Sequence, residues 1–336
     1  MKVTRQGFVA GAAATFATIN VIAKAEAAAE FDFKYGVDVP AEHPIHVQAA
    51  AAFGRIKAAT NGRVQVKTFP TSQLGSDPNM LSQLRTGALE ILALPGAFLN
   101  ELVPVASIEN LAYAFATRDA VFKAMDGDLG AVIRDDIRSK GMVVFDKIWE
   151  NGYREITTST KPIKHVNDLA GLKIRVSPGK IRIDTFKSLG ASPTPISLSE
   201  LYTSLQTHVV DAQENPLILI EQQKFYEVQK YVSLSNHIWS GYWTLVNQDA
   251  WKRLPADIQK IFNREMNSAA VLARNMSSVL NLSIADKLRR RGMTFNEVDV
   301  ASFKAKLVSN GYYERWKKEF GDKAWTALEK YANKLG

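Results

Sequence analysis

Between Phe31 and Leu94 the hydrophobic period switches from two to about three and a half and back, twice over, which restricts the chain to a few α/β folds. Phe31 to Val37 alternates as a strand. His43-Pro44 then opens a helix whose buried face is Ala49, Ala52, Phe53, Ile56 and Ala59, stopped by Asn61-Gly62. Val64 to Phe69 reads as a second strand, Gly75-Ser76-Asp77-Pro78 caps a helix through Thr86, and Leu89 to Leu94 suits a buried parallel strand. The order is βαβαβ. It predicts an open, mainly parallel sheet flanked by helices, with ligands at the carboxyl ends of strands where the strand order changes.

The second half repeats this grammar. Gly171 to Val176 reads as a strand, a helix follows to Leu189, and Thr194 to Ile196 is the next strand, so a second sheet is implied. Ser197-Leu198-Ser199-Glu200 reads as a capping box opening a helix with Leu198, Leu201 and Leu205 on one face, followed by a strand at Val209 to Ala212. From Ala256 to Arg291 apolar residues recur every three or four positions up to Gly292. That makes a helix of about 50 Å, long enough to lie across two domains, unless it breaks near Asn267-Ser268. A further helical segment is expected from Trp316 to Leu335. Two core-bearing domains are usual for 336 residues.

Composition excludes several chemistries. With no Cys there are no disulfides, thiol nucleophiles or cysteine-held metals. No G-x-S-x-G elbow, phosphate loop, dinucleotide fingerprint or H-E-x-x-H is present, so the expectation is a binding protein without cofactor rather than an enzyme. His43 and His46 could share a helix face, but no nearby carboxylate completes a metal set, and none is expected. The net charge of +8 is dispersed; its densest run, Arg289-Arg290-Arg291, suits a helix C-terminus, and no nucleic-acid partner is expected.

The first 27 residues read as an export address. Lys2 and Arg5 precede the apolar segment Phe8 to Ile22, and small-x-small sites place cleavage after Ala25 or Ala27. Thr4-Arg5-Gln6-Gly7-Phe8 looks like a twin-arginine signal lacking one arginine, which leaves the export route open. Losing Lys2, Arg5, Lys24 and Glu26 lowers the formal charge from +8 to +6, and a periplasmic protein, expected to be a monomer, remains.

Arg175 stands in an otherwise apolar strand. An unpaired charge there costs several kcal/mol unless an anion meets it, either a protein carboxylate or a ligand. The guanidinium fork matches a carboxylate bidentately.

The run from Gly171-Leu172-Lys173-Ile174-Arg175-Val176 through Gly190-Ala191-Ser192-Pro193-Thr194-Pro195, Ser199-Glu200-Leu201-Tyr202, Leu205-Gln206-Thr207 and Val210-Asp211-Ala212-Gln213-Glu214-Asn215-Pro216 closely resembles the substrate-binding subunits of TRAP (tripartite ATP-independent periplasmic) transporters, the DctP-type receptors. Phe69-Pro70, Ser72-Gln73-Leu74-Gly75 with Asp77, Gln83-Leu84-Arg85-Thr86-Gly87 and Asn151-Gly152-Tyr153-Arg154 match the same family, and the similarity runs from about residue 31 to 330. The resemblance implies a two-lobed receptor that closes on an organic acid anion and delivers it to membrane-embedded TRAP subunits. It also implies that Arg175 is the main carboxylate clamp, Arg154 its supporting arginine and Asn215 the amide bonding the same carboxylate, against the alternatives of an internal salt bridge for Arg154 and turn capping for Asn215. The expected layout is a signal at 1–27, one lobe from 28–150 plus about 239–275, a second lobe at 151–238, the long helix at about 256–291 across both, and C-terminal strand and helical segments at 292–336.

The rest of the pocket is read around this clamp. Asp77 matches a position that touches polar ligand groups in some relatives, or serves as a helix N-cap. Pro95 stands where sugar-acid-binding relatives can carry a carboxylate, and Leu198 where an aromatic is often found, so an apolar ligand body is expected ahead of a C4-dicarboxylate or a uronic acid. Trp149, Trp239, Tyr242 and Trp243 offer aromatic surface, or ordinary packing at a seam where the chain recrosses; Glu42 and His43 lie on a loop able to close over ligand.

Overall fold

A computed structural model describes residues 29–332 and 335; the expected export segment lies outside them. In chain order the elements are β1 (Phe31–Val37), α1 (Pro44–Ala59), β2 (Val64–Phe69), α2 (Asp77–Thr86), β3 (Ile91–Pro95), α3 (Arg118–Asp126), α4 (Asp128–Ser139), β4 (Met142–Val144), β5 (Trp149–Thr158), β6 (Lys173–Val176) and α5 (Lys180–Ser188). They continue with β7 (Ser192–Pro195), α6 (Leu198–Gln206), β8 (Ala212–Asn215), α7 (Leu217–Gln222), β9 (Tyr231–Asn247), α8 (Gln248–Lys252), α9 (Ala256–Arg290), β10 (Thr294–Glu297), α10 (Val300–Ser309) and α11 (Tyr312–Glu329).

The strands form one sheet in the order β2-β1-β3-β9-β5-β8-β6-β7, with β4 and β10 also pairing β9. Its two ends are parallel wings, β2-β1-β3 and β8-β6-β7, joined through antiparallel β9 and β5. The second sheet expected from residues 171–212 is therefore a wing of the first. The reason is strand length: β9 has 17 residues and β5 has 10, enough for each to serve both wings. The strand expected at Val209 to Ala212 lies later, at Ala212–Asn215.

Two hydrophobic cores pack on the two faces. In β3, Leu92 and Leu94 join one core while Ile91 and Ala93 join the other, the period of two that an interior strand requires. In β6, Ile174 and Val176 belong to the first core, so alternation turns Arg175 to the opposite face. The polar site is thereby embedded between apolar layers.

Helix ends show which local signals held. His43 caps α1, its Nδ1 accepting the Ile45 N–H at 3.3 Å, although Ala59 is exposed instead of closing the buried face. The capping box at Ser197 is absent: its side chain makes no cap bond, and the Glu200 N–H is met by the Ser197 backbone carbonyl at 3.2 Å. α9 is unbroken at Asn267-Ser268. It is tied to α1 by Arg55–Glu265 at 2.7 Å and to α7 by Lys287–Glu221 at 2.7 Å, so one rigid rod touches helices of both wings. α11 starts four residues before the expected Trp316 and bends at Gly321, whose φ of 78° is open to glycine. Among the described residues no helix is long and apolar enough to cross a membrane.

Candidate functional site

Arg175 is 1% exposed, between β7 and β8 in the second wing. Its Nε donates to the Ile196 carbonyl at 2.7 Å, Nη1 has no partner, and among the described residues no Asp or Glu forms an ion pair with it. Burial, opposed by the charge of Glu214, pulls its pKa down to about 9, which leaves it cationic at neutral pH. A buried cation with an unused edge carries a desolvation cost that no ion pair offsets among the described residues.

Arg154, on β5, is equally buried but differently engaged. Its guanidinium grips Glu214 of β8 through Nε–Oε2 and through Nη2–Oε1 at 2.8 Å, while Nη2 also reaches the Glu214 carbonyl at 2.6 Å and Asn215 Oδ1 at 3.0 Å. Burial alone would raise the Glu214 pKa, but the Arg154 charge and a His237 hydrogen bond hold it well below the usual range. His237 is kept neutral by burial, and its Nε2 faces Glu214 Oε2 at 3.3 Å. Asn215 donates to Gln213 Oε1 at 2.6 Å, and Gln213 to Thr157 Oγ1 at 2.8 Å, so the amide belongs to a buried hydrogen-bond chain rather than to a turn cap. Arg154 and Asn215 thus touch each other, with the β6 guanidinium in electrostatic reach of Arg154.

The first wing presents acids. Asp77 is the first residue of α2, with Ser76 at the cap position, so it is not the N-cap; it is 2% exposed and its Oδ1 has no partner. Burial, then the charge of Asp38, pushes its pKa well up. Asp38, just past β1 and 5% exposed, accepts the Tyr242 hydroxyl at 2.8 Å, and burial raises its pKa too. Arg182 of α5 donates to Asn110 Oδ1 at 3.0 and 2.7 Å and to Ser240 Oγ at 3.1 Å, neutral partners only, leaving Nη1 unpartnered. Its pKa falls to about 10 through burial and the neighbouring Arg154.

Of the other expected residues, Trp149 and Trp239 are buried with unpartnered indole N–H groups, and Trp239 packs edge-on against Phe122 at 5.8 Å. Pro95 ends β3 opposite Tyr242, and Leu198 is buried in the second core. His43 is buried and kept neutral, its pKa lowered to about 3 by burial, whereas Glu42 stands exposed. A groove of about 1160 Å³ is lined by Pro78, Leu81 and Phe98 on one side and Gly179, Ile183 and Trp316 on the other, beside Asp77 and Arg182 in sequence. The wings meet there, since a Cβ on Gly179 would lie 3.0 Å from the Ala97 carbonyl.

Sequence reasoning missed Asp38, Arg182 and Glu214 as members of this centre, and read Tyr242 only as aromatic surface although its hydroxyl donates to Asp38. Asp38 had a signal: it directly follows a parallel strand, where ligands collect. Arg182 had one too: it lies three and four positions before Thr185 and Phe186, a charge on the buried face of α5.

Residues 35–318 match the bacterial extracellular solute-binding proteins, family 7. The chain belongs to this family. This family 7 receptor is 33% identical over 299 residues to a solute-binding protein of Roseobacter denitrificans, covering 88% of this chain and 90% of that one. It is 32% identical to the C4-dicarboxylate-binding periplasmic protein DctP of Rhodobacter capsulatus, covering 87% of each. Among solved structures, a TRAP periplasmic solute-binding protein of Polaromonas sp. JS666 bound to D-erythronate superposes with a TM-score of 0.85 at 29% identity, covering 89% of this receptor and 98% of that chain. The receptor therefore has the two-lobed α/β fold of TRAP solute-binding proteins, a family of receptors rather than enzymes.

Proposed function

We propose that this receptor takes the carboxylate of a small organic acid on Arg175, closes its lobes over the guest and delivers it to TRAP membrane subunits. The observation that carries this reading is the buried Arg175 guanidinium with its unused Nη1 and, among the described residues, no carboxylate in ion pair with it. Dicarboxylate and D-erythronate binding in relatives supports an organic acid as guest. Arg154 supports the site through Glu214, holding β5 to β8, and Asn215 lies beside it. The lobes are 28–150 with about 239–275, and 151–238, with α9 across both. The guest bridges their facing surfaces, and those contacts shift the open–closed balance. Micromolar binding requires about −8 kcal/mol, within reach of a charge-assisted fork plus buried body. The mature chain, cleaved after Ala25 or Ala27, works in the periplasm as a monomer and releases its guest chemically unchanged.

The test is calorimetry on protein refolded free of guest, titrated with succinate, D-erythronate and D-galactonate. At least one acid should bind, and Arg175→Ala should weaken it by about 2–5 kcal/mol. Arg175→Lys should also fail, since a point charge cannot make the parallel pair of bonds. Unchanged affinity in either variant overturns the reading.

A further inference from the structure

Asp38 and Asp77 of the first lobe confront Arg175 and Arg182 of the second. Each of the four is at least nine-tenths buried, and each acid feels both guanidinium charges. Yet no ion pair joins them among the described residues, and Asp77 Oδ1, Arg175 Nη1 and Arg182 Nη1 are all unpartnered. Buried polar atoms on two facing surfaces call for a guest with its own polar atoms between them. The Tyr35 hydroxyl, fully buried in the same lobe and in electrostatic reach of Asp38, also lacks a partner.

We infer that the guest is a hydroxylated monocarboxylate of the aldonate class, whose hydroxyl groups are read by Asp38 and Asp77 while its single carboxylate sits on the arginines. This rests on the reading that Arg175 takes the carboxylate. A hydroxyl both donates and accepts, so one group can serve a carboxyl oxygen and a guanidinium N–H. An apolar body would leave Asp77 Oδ1 and the Tyr35 hydroxyl buried and unbonded, which costs affinity. A second carboxylate would face two acids. Burial raises the pKa of both aspartates, and the charge of Asp38 raises that of Asp77 further, so ionising both at once is disfavoured and a second ligand carboxylate beside them more so. Glu214 is held ionised beside Arg154, while burial raises the Glu109 pKa to about 8 and keeps it largely neutral near Arg182. This reverses the preference for an apolar body suggested by Pro95 and Leu198: Asp38, directly after β1, supplies a polar group that those two side chains do not.

The experiment uses calorimetry with chain-matched probes of four to six carbons: an aldonate, the corresponding alkanoate and the corresponding dicarboxylate, for example D-erythronate, butyrate and succinate. The aldonate of at least one length should bind about 10- to 100-fold more tightly than both partners. Asp77→Asn and Asp38→Asn, checked for folding by thermal melting, should reduce that preference about tenfold or more, with little change for the alkanoate. A tightest binder that is an alkanoate or dicarboxylate, no aldonate binding at millimolar concentration, or a preference untouched in both variants overturns the inference. Arg175→Ala separates the two claims. If it abolishes binding of whichever acid binds, the clamp stands even where the aldonate preference fails; if it changes nothing, the clamp itself is wrong.

Discussion

Arg154 and Arg175 are the same residue type, equally buried, on strands of one sheet, and they face opposite situations. Arg154 has a permanent carboxylate mate in Glu214, while Arg175 has a backbone carbonyl and an empty edge. Burial gives both a desolvation cost; what differs is whether the fold itself supplies the compensating charge. The first arginine is tied into the sheet by its carboxylate mate, and the second keeps an edge that no side chain among the described residues fills.

The sharpest way to break this contrast is to remove Arg154. Arg154→Ala should destabilise the ligand-free protein by about 3–5 kcal/mol in urea unfolding, because Glu214 stays buried without its partner. The double variant Arg154→Ala with Glu214→Ala should recover a substantial part. A loss below about 1 kcal/mol for the single variant would mean that the pair is not a strut. Arg175→Leu should do the reverse. Without ligand it should leave stability unchanged or raise it by about 1–2 kcal/mol, since a buried cation with no ion-pair partner among the described residues is replaced by apolar volume. A loss like that of Arg154→Ala would erase the distinction.

The smallest effect concerns Glu109, whose Oε1 accepts from the Gly96 N–H at 3.2 Å and from Asn110 at 2.8 Å, while Oε2 has no partner. Burial raises its pKa from 4.5 to about 8. Between those values the folded state retains a proton that the unfolded chain has lost, so this group's contribution to stability falls as pH rises, by up to about 1.4 kcal/mol per unit. Glu109→Gln, permanently neutral, should therefore flatten the slope of stability against pH, by about 1 kcal/mol between pH 6 and 7. An unchanged slope would show that Glu109 is already ionised in the fold.

Much of the fold was legible because its signals are local. The alternation of β1 to β3, the cap at His43 and the unbroken apolar stripe of α9 depend on residues a few positions apart. The long strand β9 was invisible as a whole because it borders both cores and is buried along most of its length, which removes the alternation that marks a half-exposed strand. The capping box failed for a related reason: Ser197-Leu198-Ser199-Glu200 has the right letters, but the backbone carbonyl of Ser197 meets the Glu200 N–H instead.

What the amino-acid order determined alone was the α/β alternation, the long helix and a buried arginine in need of an anion, since each follows from periodicity or from the cost of a charge in an apolar strand. Only the tertiary structure decided which arginine already had its anion. Arg154 and Glu214 are 60 positions apart and meet because β5 pairs with β8, while Asp38 and Asp77 reach Arg175 and Arg182 because the two wings face each other. Coulomb energy depends on distance in space, and no local pattern encodes that distance.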